Sequence, residues 1–593
     1  MNEPQPKIDP VNRRSHYSLN QVVFSGVVLL FLFLVLFLMS GPFEYGSGES
    51  RPILLTVGLL FAAAVVGTWG LGKAVGVPIA DRRKLLLVIF SFALSARLVA
   101  LFTVPILEID YYRYLWDGKV VAAGVSPYRY SPAQILEAPL VRAESNGADL
   151  ETLAQLRNRS QSNLTILRRI HYENYTSVYP PVSQVVFGNA MKWFPDSASV
   201  KAHILAIKFA MLVFDMATLV IICLMLRTCN LHLGWSIIYA WNPLVIKEIS
   251  NSGHLDSIAT MCMMLSLYAL LRWFSGKHID RDDVLLNKNV AKNPATGGPW
   301  WLLIGGASLG LGVGAKLFPV VVLPALFVSI AKKRWSGAGL FLLAFSVTAI
   351  FVLWPVVGTE RNEFQSATER AVSEGQQKTE HSSKDGFAGF FSSWRMNDPV
   401  FSTLYLNLGF RKADSERPWF VVSDSKWRTD FSDWFRDRQL GGDNPAFFFT
   451  RAITLGIFGV FYLWQLFVIF RSPPNNNSDG ANLAAQLCLI LSVFLVLQPT
   501  VNPWYFVWIV PLACFTQNRG WLLVSGGLMC YYSRFWFKSL TGSFPIGSTA
   551  YSGVGLFDYF VVFAEFFLVV VMLLYFFNRE CKDRTAKNAV RSG

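Results

Sequence analysis

Apolar runs of about 20 residues recur along almost the whole chain, and this pattern restricts the fold more than any other feature. A helix of that length spans the hydrocarbon core of a bilayer, where only helices and closed barrels satisfy every backbone polar group. Of the 593 residues, 53% are hydrophobic and only 16% are charged, against roughly 25% in soluble domains. The sequence therefore predicts an all-α, polytopic transmembrane helical bundle of about 12–14 spans.

Basic residues beside the apolar runs predict how the chain is oriented. Arg13 and Arg14 precede the first run, and Arg82-Arg83-Lys84 follow the second. Cytoplasmic loops are enriched in Lys and Arg, so the third run is expected to leave the cytoplasm. The same rule explains the formal net charge of +14 without nucleic acid as a partner. We expect a multi-pass protein of the cell (inner or plasma) membrane.

The apolar runs divide the chain into six predicted regions. They are a cytoplasmic tail (1–20), two additional N-terminal transmembrane helices (21–84), a transmembrane core (85–357) with a first large outer loop at about 108–200, a large extracytoplasmic loop (358–447), C-terminal transmembrane helices (448–578) and a basic cytoplasmic tail (579–593). Leucine spacing near 150–156 and 164–167 predicts amphipathic helices on the membrane interface. The loop that holds Lys277 and Lys292 is expected to be cytoplasmic.

With this orientation, the unusual polar residues all fall at the outer face. The segments concerned are Glu108-Ile-Asp110, Tyr179-Pro-Pro181, Lys247-Glu248, His254-Leu-Asp256, Lys316, Trp394-Arg-Met-Asn397 and Asn502-Pro-Trp-Tyr505. One outer cavity fed by several loops is the simplest interpretation. The alternative is interfacial anchoring, which explains Trp, Tyr, Lys and Arg at bilayer edges but not carboxylates and a histidine at the same depth.

The segment that begins at Glu108 carries the strongest signal, because carboxylates at a membrane edge are costly and usually functional. If the chain is helical from Asp110, its side chains divide between two faces. The polar face holds Asp110, Arg113, Tyr114 and Asp117, and the opposite face presents Tyr112, Leu115 and Trp116 to lipid headgroups. A partly desolvated carboxylate can act as a general base toward a hydroxyl. The alternative is an interfacial salt bridge of Arg113 with Asp117 or Asp110, without catalysis.

Four cations at the outer face predict an anion site. They are Lys247, His254, Lys316 and Arg395. Several converging cations favour a phosphate ligand, although a single Lys or Arg near a helix end often only snorkels. His254 with Asp256 alone is a weak signal.

Metal and redox chemistry find little support in the sequence. The chain has neither a CxxC nor an HExxH motif, so no zinc site or redox pair is indicated. Glu108 and Asp110 together could bind a divalent cation such as Mg²⁺ or Mn²⁺, because hard cations take carboxylate oxygens. No cofactor is firmly predicted.

These segments resemble the GT-C superfamily of integral-membrane glycosyltransferases, near the polyprenol-phosphate-mannose-dependent mannosyltransferases of glycosyltransferase family 87. The resemblance rests on the outer-face segments given above together with Arg113-Tyr-Leu-Trp-Asp117-Gly118, Gly124-Val-Ser-Pro127-Tyr128, Trp241-Asn-Pro243 and Lys316-Leu-Phe-Pro319. They spread over about residues 85–520, most of the chain. Each segment by itself has low specificity, and the order of the segments along the chain carries the resemblance.

The resemblance implies transfer of a hexose, with mannose favoured, from a polyprenyl-phosphate carrier to a lipid or glycan hydroxyl on the extracytoplasmic face, with inversion. It makes Asp110 the general base and Glu108 a helper or metal ligand. Lys247, His254, Lys316 and Arg395 would neutralise the leaving phosphate. The remaining candidates for substrate binding are Arg113, Asp117, Asp256 and Tyr505.

Two other function classes stay open from the sequence. A lipid-linked glycan ligase or polymerase would share the cations without needing the Glu108–Asp110 pair. A transporter would favour inverted repeats of broken helices, and only one broken pair is found, near Lys316. The chain departs from a compact family member in its two additional N-terminal helices and in the long polar segment at about 358–444. These departures affect the identity of the acceptor and the role assigned to Arg395.

Overall fold

The computed structural model describes residues 10–44, 53–138, 148–276, 297–357, 394–409, 416–438, 440, 444–472, 479–547 and 549–575. The predicted C-terminal tail, the loop with Lys277 and Lys292, and residues 358–393 of the large outer loop lie outside these ranges.

The described chain is almost entirely helical. The helices of the first half are α1 (Pro10–Met39), α2 (Ile53–Ala74), α3 (Arg82–Phe102), α4 (Tyr111–Ala122), α5 (Pro132–Glu137), α6 (Ala148–Asn158), α7 (Gln161–Arg168), α8 (Pro181–Lys192), α9 (Val200–Thr228), α10 (Ile237–Ala240), α11 (Pro243–Val245) and α12 (Asp256–Ser275). The second half holds α13 (Trp300–Ala315), α14 (Leu323–Ala331), α15 (Trp335–Val357), α16 (Pro399–Leu408), α17 (Ser425–Asp437), α18 (Pro445–Arg471), α19 (Asp479–Val496), α20 (Val510–Thr516), α21 (Gly520–Gly527), α22 (Ser533–Ser539) and α23 (Gly553–Tyr575).

Short turns of other helix types and one hairpin complete the described structure. The 3₁₀ turns are Gly41–Phe43, Ile79–Asp81, Leu233–Ser236, Phe318–Val322, Pro503–Trp508 and Leu528–Tyr532, and the π turns are Ile246–Asn251 and Phe557–Val561. The strands β1 (Phe544–Ile546) and β2 (Thr549–Tyr551) pair antiparallel, with Phe544 opposite Tyr551.

The predicted all-α polytopic architecture is confirmed. Among the described residues, eight helices are long and apolar enough to cross a membrane: α1, α2, α3, α9, α12, α15, α18 and α23. Three shorter apolar helices are Trp300–Ala315, Phe318–Ala331 and Gly480–Val496. The number of long spans is smaller than the predicted 12–14 for two reasons: these three apolar helices are short, and two further apolar regions, 231–255 and 503–539, are broken into short helices.

Local sequence explains why these two regions break. Pro243 begins α11, and the side chain of Asn242 caps it by accepting from Leu244 N–H at 3.0 Å. Gly253 has φ +76°, in the left-handed region that favours glycine. Pro503 begins the 3₁₀ turn of the second region. Such irregular backbone at membrane depth is tolerated where it is buried in protein or lines a cavity.

Helix α4 does not face lipid headgroups, so that part of the sequence interpretation is wrong. Tyr112, Leu115 and Trp116 are all buried, because helices α7, α8 and α9 pack against α4. Gly118 of α4 allows the close approach of α8, since a Cβ there would lie 2.6 Å from the carbonyl oxygen of Phe187. The predicted amphipathic segments form α6 and α7, whose leucines pack inward.

Buried polar contacts join α3 to α9 and fix where α3 ends. Arg97 Nε donates to Asp215 Oδ2 at 2.6 Å, and both side chains are fully buried. Tyr239 donates to the other oxygen of Asp215 at 2.6 Å. Lys208 Nζ donates to the carbonyls of Ala100 and Thr103 at 3.0 and 2.8 Å, which satisfies acceptors that a helix C-terminus leaves open.

Candidate active site

The loop between α3 and α4 carries Glu108 and Asp110 and is held by the π turn Ile246–Asn251. Asn251 Oδ1 accepts from Ile106 N–H, and Asn251 Nδ2 donates to the carbonyl of Val104, both at 2.9 Å. Asp110 is the residue directly before α4, and its side chain makes no capping hydrogen bond. The loop is therefore fixed while the Asp110 carboxylate is left available.

Glu108 holds the backbone around Asp110 in place. Its Oε1 accepts from the N–H groups of Ile109 and Asp110, both at 2.8 Å. Its Oε2 accepts from His254 Nε2 at 3.0 Å. Glu108 is 5% exposed, so its carboxylate is occupied by protein partners and contributes to positioning.

His254 lies between two carboxylates. Its Nε2 is 3.0 Å from Glu108 Oε2 and 3.5 Å from Glu248 Oε2. Its ring stacks on Trp504 with centroids 4.6 Å apart. Burial alone would lower the pKa of His254, but the adjacent Glu108 charge and hydrogen bond outweigh it and raise that pKa. The imidazolium is therefore favoured and joins the 251–256 turn to the Glu108 loop.

Behind His254, a second buried group of charges surrounds Glu248. Lys247 Nζ lies 3.3 Å from Glu248 Oε2. Tyr532 donates to Glu248 Oε1 at 2.8 Å and also contacts Lys247. Both side chains of the Lys247–Glu248 pair are fully buried. A paired buried charge of this kind fixes the backbone around it, because losing one partner would leave the other uncompensated.

A separate ion pair, Lys316–Asp256, lies close enough to Asp110 to act on its charge. Lys316 Nζ donates to Asp256 Oδ1 at 2.7 Å, and Trp508 Nε1 donates to the same oxygen at 2.5 Å. Lys316 lies over the ring of Tyr505 at 4.7 Å. The side chain of Lys316 is 21% exposed, whereas Asp256 is fully buried. Lys316 therefore keeps an accessible positive charge beside the cluster.

Comparison with known proteins identifies the family. Residues 44–332 match the family model described as Alpha-(1->6)-mannopyranosyltransferase, N-terminal domain. Residues 439–574 match the model of the MptB C-terminal domain. The chain belongs to this mannosyltransferase family. The resemblance to GT-C mannosyltransferases is confirmed, and no curated protein and no solved structure matches the chain.

Family membership makes the chain a glycosyltransferase, and the family name points to mannose as the sugar that is transferred. The eight apolar helices place this mannosyltransferase in a membrane as a multi-pass protein. The first match includes α2 to α14, and with them Glu108, Asp110, His254 and Lys316. The second includes Trp504, Tyr505 and Trp508.

Asp110 differs from the other carboxylates of this cluster, which are Glu108, Glu248 and Asp256. No described residue donates a hydrogen bond to its side chain, and it is partly exposed. Burial, followed by repulsion from Glu108, raises the pKa of Asp110 to about 7 against the opposing charges of His254 and Lys316. Burial also opposes ionisation of Glu108, but His254 and Lys247 hold the pKa of Glu108 at about 2. The pair therefore divides into a fixed anion and a carboxyl that titrates near neutral pH.

Of the four predicted cations, Lys316 is the partly exposed one whose charge acts on Asp110. Lys247 is fully buried against Glu248, and His254 is 1% exposed between its carboxylates. Arg395 binds Asp398 and Ser402 at 3.2 and 2.7 Å, within its own segment. The direct contacts of these three residues are thus with protein groups.

Arg113 and Asp117 form the ion pair that the non-catalytic interpretation of α4 expected. Arg113 Nε donates to Asp117 Oδ1 at 2.8 Å. The other oxygen of Asp117 accepts from Ser177 at 2.5 Å and from Gln184 at 3.1 Å. The pair therefore fastens the segment before α8 to α4 and does not contact Asp110.

Three supporting residues of the candidate site were not found from the sequence. They are Asn251, Trp508 and Tyr532. Each acts through a partner far away in the chain; Tyr532 is 284 residues from Glu248. The Asn251-Ser-Gly-His254 turn was a usable signal for the first. We find no sequence signal for the other two.

The side chains of the candidate site leave few free oxygen ligands for a divalent cation. Both oxygens of Glu108 already accept hydrogen bonds. Among the described residues, no group of three or more His, Cys, Asp or Glu side chains is arranged to hold a metal ion. We therefore derive no catalytic step through a metal.

Proposed function

We propose that the protein transfers a mannosyl group from a polyprenyl-phosphate carrier to a hydroxyl of a lipid or glycan acceptor, with inversion, and that Asp110 is the general base. The family supports mannose transfer. The polyprenyl-phosphate donor is favoured by a site that lies between membrane-spanning helices and beside the partly exposed cation Lys316.

One observation carries the assignment of the base. Asp110 alone among the four carboxylates of the cluster has neither oxygen engaged by a described residue, while Glu108, Glu248 and Asp256 each accept at least one hydrogen bond. A base must be open to the substrate and must have a pKa near the working pH. Asp110 meets both requirements.

The proposed reaction is a single displacement. Asp110 takes the proton of the acceptor hydroxyl while that oxygen attacks the anomeric carbon of mannose. The bond between the anomeric carbon and the phosphate oxygen breaks, and its electron pair leaves with the polyprenyl phosphate. Attack from the side opposite the phosphate inverts the anomeric configuration.

Lys316 is the proposed partner of the leaving phosphate. Negative charge grows on the phosphate oxygen as the glycosidic bond breaks, and a fixed cation nearby stabilises that charge. Lys316 is partly exposed, and Asp256 and the ring of Tyr505 hold its ammonium. Glu108, His254, Lys247 and Glu248 are proposed as positioning residues.

We place this site on the extracytoplasmic side. The cluster follows the C-terminal end of α3, and Arg82, Arg83 and Lys84 begin the same helix at its other end. Basic residues favour the cytoplasmic end of a span. On this side of the membrane the sugar has to come from a lipid carrier, because nucleotide sugars are made and kept in the cytoplasm.

A donor comparison tests the proposal. Purified protein in nanodiscs would receive one of four radiolabelled donors: polyprenyl-phosphate-mannose, polyprenyl-phosphate-glucose, GDP-mannose or a lipid-linked oligosaccharide. Membrane lipids of the native host would serve as acceptors. We expect transfer from polyprenyl-phosphate-mannose alone. Transfer from GDP-mannose would overturn the carrier, and transfer only from lipid-linked oligosaccharides would favour a ligase or polymerase.

A further inference from the structure

A cavity lies between the ends of α3 and α9 that are remote from Asp110. It has a volume of about 590 Å³ and is bordered by the first turns of α3, the last turns of α9 and residues 230–233. The lining on α3 runs from Arg82 to Phe90, and α3 ends at Phe102. With a rise of 1.5 Å per residue, about 18 Å of helix separates the cavity wall from the Glu108 loop, and about 30 Å separates Arg82 from it. The cavity is therefore distinct from the candidate active site.

The rim of this cavity is positively charged. Arg82, Arg83 and Arg227 contribute to its lining, and all three are exposed. In the part of the chain that the structure describes, none of them has an ion pair or a hydrogen bond from its side chain. The neighbouring acid Asp81 is engaged by Lys84 at 3.1 Å. The three guanidinium groups thus leave an uncompensated positive charge at the mouth.

The wall of the cavity is apolar and reaches toward the bilayer. It includes Leu86, Phe90, Val220 and Leu224. Val220 and Leu224 are 46% and 40% exposed, so this wall is open on the lipid side. Both ring nitrogens of His232 are engaged by backbone groups: its Nε2 donates to the carbonyl of Val77 at 2.8 Å, and its Nδ1 accepts from Gly234 N–H at 3.1 Å.

Helix stability does not account for these arginines. Arg82 and Arg83 lie in the first turn of α3, which contains no acidic residue, and the side chain of Asp81 makes no cap hydrogen bond. Positive charge at a helix N-terminus opposes the macrodipole. Orientation in the membrane accounts for basic residues at this end but not for a cavity with an apolar wall between them.

We propose that this cavity binds an anionic phospholipid of the bilayer. The three guanidinium groups would bind the headgroup phosphate, for which their planar donors are suited. An acyl chain would lie along Leu86, Phe90 and Val220. Basic pockets between transmembrane helices recognise anionic headgroups in this way, and the combination of charge and apolar wall selects a lipid over a free anion.

Lipid titration of the full-length protein tests the proposal. Delipidated protein in detergent would be titrated with phosphatidylglycerol or phosphatidylcholine, and bound lipids would be counted by native mass spectrometry. We expect one phosphatidylglycerol molecule to bind saturably and more tightly than phosphatidylcholine. The combined variant Arg82→Gln/Arg83→Gln/Arg227→Gln should lose affinity by about a hundredfold. Equal binding of the two lipids, or an unchanged combined variant, would overturn the site.

Two further variants separate the cavity from general surface charge. Lys192→Gln/Lys201→Gln/Arg334→Gln removes three exposed cations elsewhere and should bind as the wild type does. Leu224→Trp keeps every charge but fills the apolar wall, and it should also lose binding. If the arginine variant loses lipid binding while Leu224→Trp binds fully, the lipid is held by surface charge alone. That result would refute binding inside the cavity. Tighter binding of a polyprenyl phosphate than of phosphatidylglycerol would refute a bilayer phospholipid as the occupant.

Discussion

Glu108 and His254 lie 146 residues apart in the chain, and their side chains meet at 3.0 Å. The same Glu108 carboxylate accepts from the backbone N–H of Asp110 at 2.8 Å. One carboxylate therefore fixes the loop, holds the imidazolium and places a negative charge beside Asp110. The last effect, together with burial, moves the pKa of Asp110 to about 7.

Activity should depend on pH through Asp110. Since burial and Glu108 raise its pKa to about 7, the carboxyl is protonated below that pH and cannot accept the hydroxyl proton. We expect kcat/KM to rise with pH through an apparent pKa near 7 and to level off above it. A pH–rate profile on purified protein measures this. A flat profile from pH 5 to 8 would contradict Asp110 as the titrating base.

Replacing Lys316 by Gln should slow transfer and move the pH profile upward. Lys316 lowers the pKa of Asp110, so removing the ammonium should raise the apparent pKa. Losing its stabilisation of the leaving phosphate should reduce kcat by about 10²–10³. The matched control is Lys332→Gln, because Lys332 binds carbonyls far from the site. A loss of activity without a shift of the profile would place Lys316 away from Asp110.

The Arg97–Asp215 pair should matter for folding and not for chemistry. Both side chains are fully buried, and removing one partner of such a pair costs about 3–5 kcal/mol. Arg97→Met should therefore lower the unfolding temperature strongly, while Arg97→Met/Asp215→Leu should recover much of the loss. Thermal unfolding in detergent measures both. Equal damage in the single and double variants would show that the ion pair is not the source of the cost.

Labelling in intact cells should settle the orientation. In a Cys581→Ser background, Gln155→Cys lies on helix α6 and Asn230→Cys lies beside the end of α9, and both positions are exposed. A membrane-impermeant maleimide should react with Gln155→Cys only. Reaction of Asn230→Cys alone would reverse the orientation and place the Asp110 cluster in the cytoplasm.

The sequence was sufficient for the architecture and for the location of the Glu108–Asp110 cluster. The length of the apolar runs depends on bilayer thickness, so the all-α spanning helices could be predicted without tertiary information. The carboxylates stood out because they interrupt an apolar pattern. Their depth at the end of α3 follows from the same pattern.

The partners of each charge could not be predicted from the sequence. Lys247 and Lys316 are equivalent by pattern, but Glu248 and Tyr532 bury the first, while the second stays 21% exposed. The burial of one face of α4 could not be predicted either, because α8 packs against that face only in the folded protein. Such differences depend on contacts between residues distant in the chain, which spacing does not encode.

Transfer by Asp110→Asn is the measurement that tests the central claim most directly. Wild-type protein, Asp110→Asn and the control Asp433→Asn, which changes an exposed carboxylate on α17, would be assayed with radiolabelled polyprenyl-phosphate-mannose. Asp110→Asn should unfold at the wild-type temperature and should lose about 10²–10⁴-fold in kcat, while the control keeps full activity. Wild-type transfer by a folded Asp110→Asn protein would contradict the assignment of the base and the mechanism built on it.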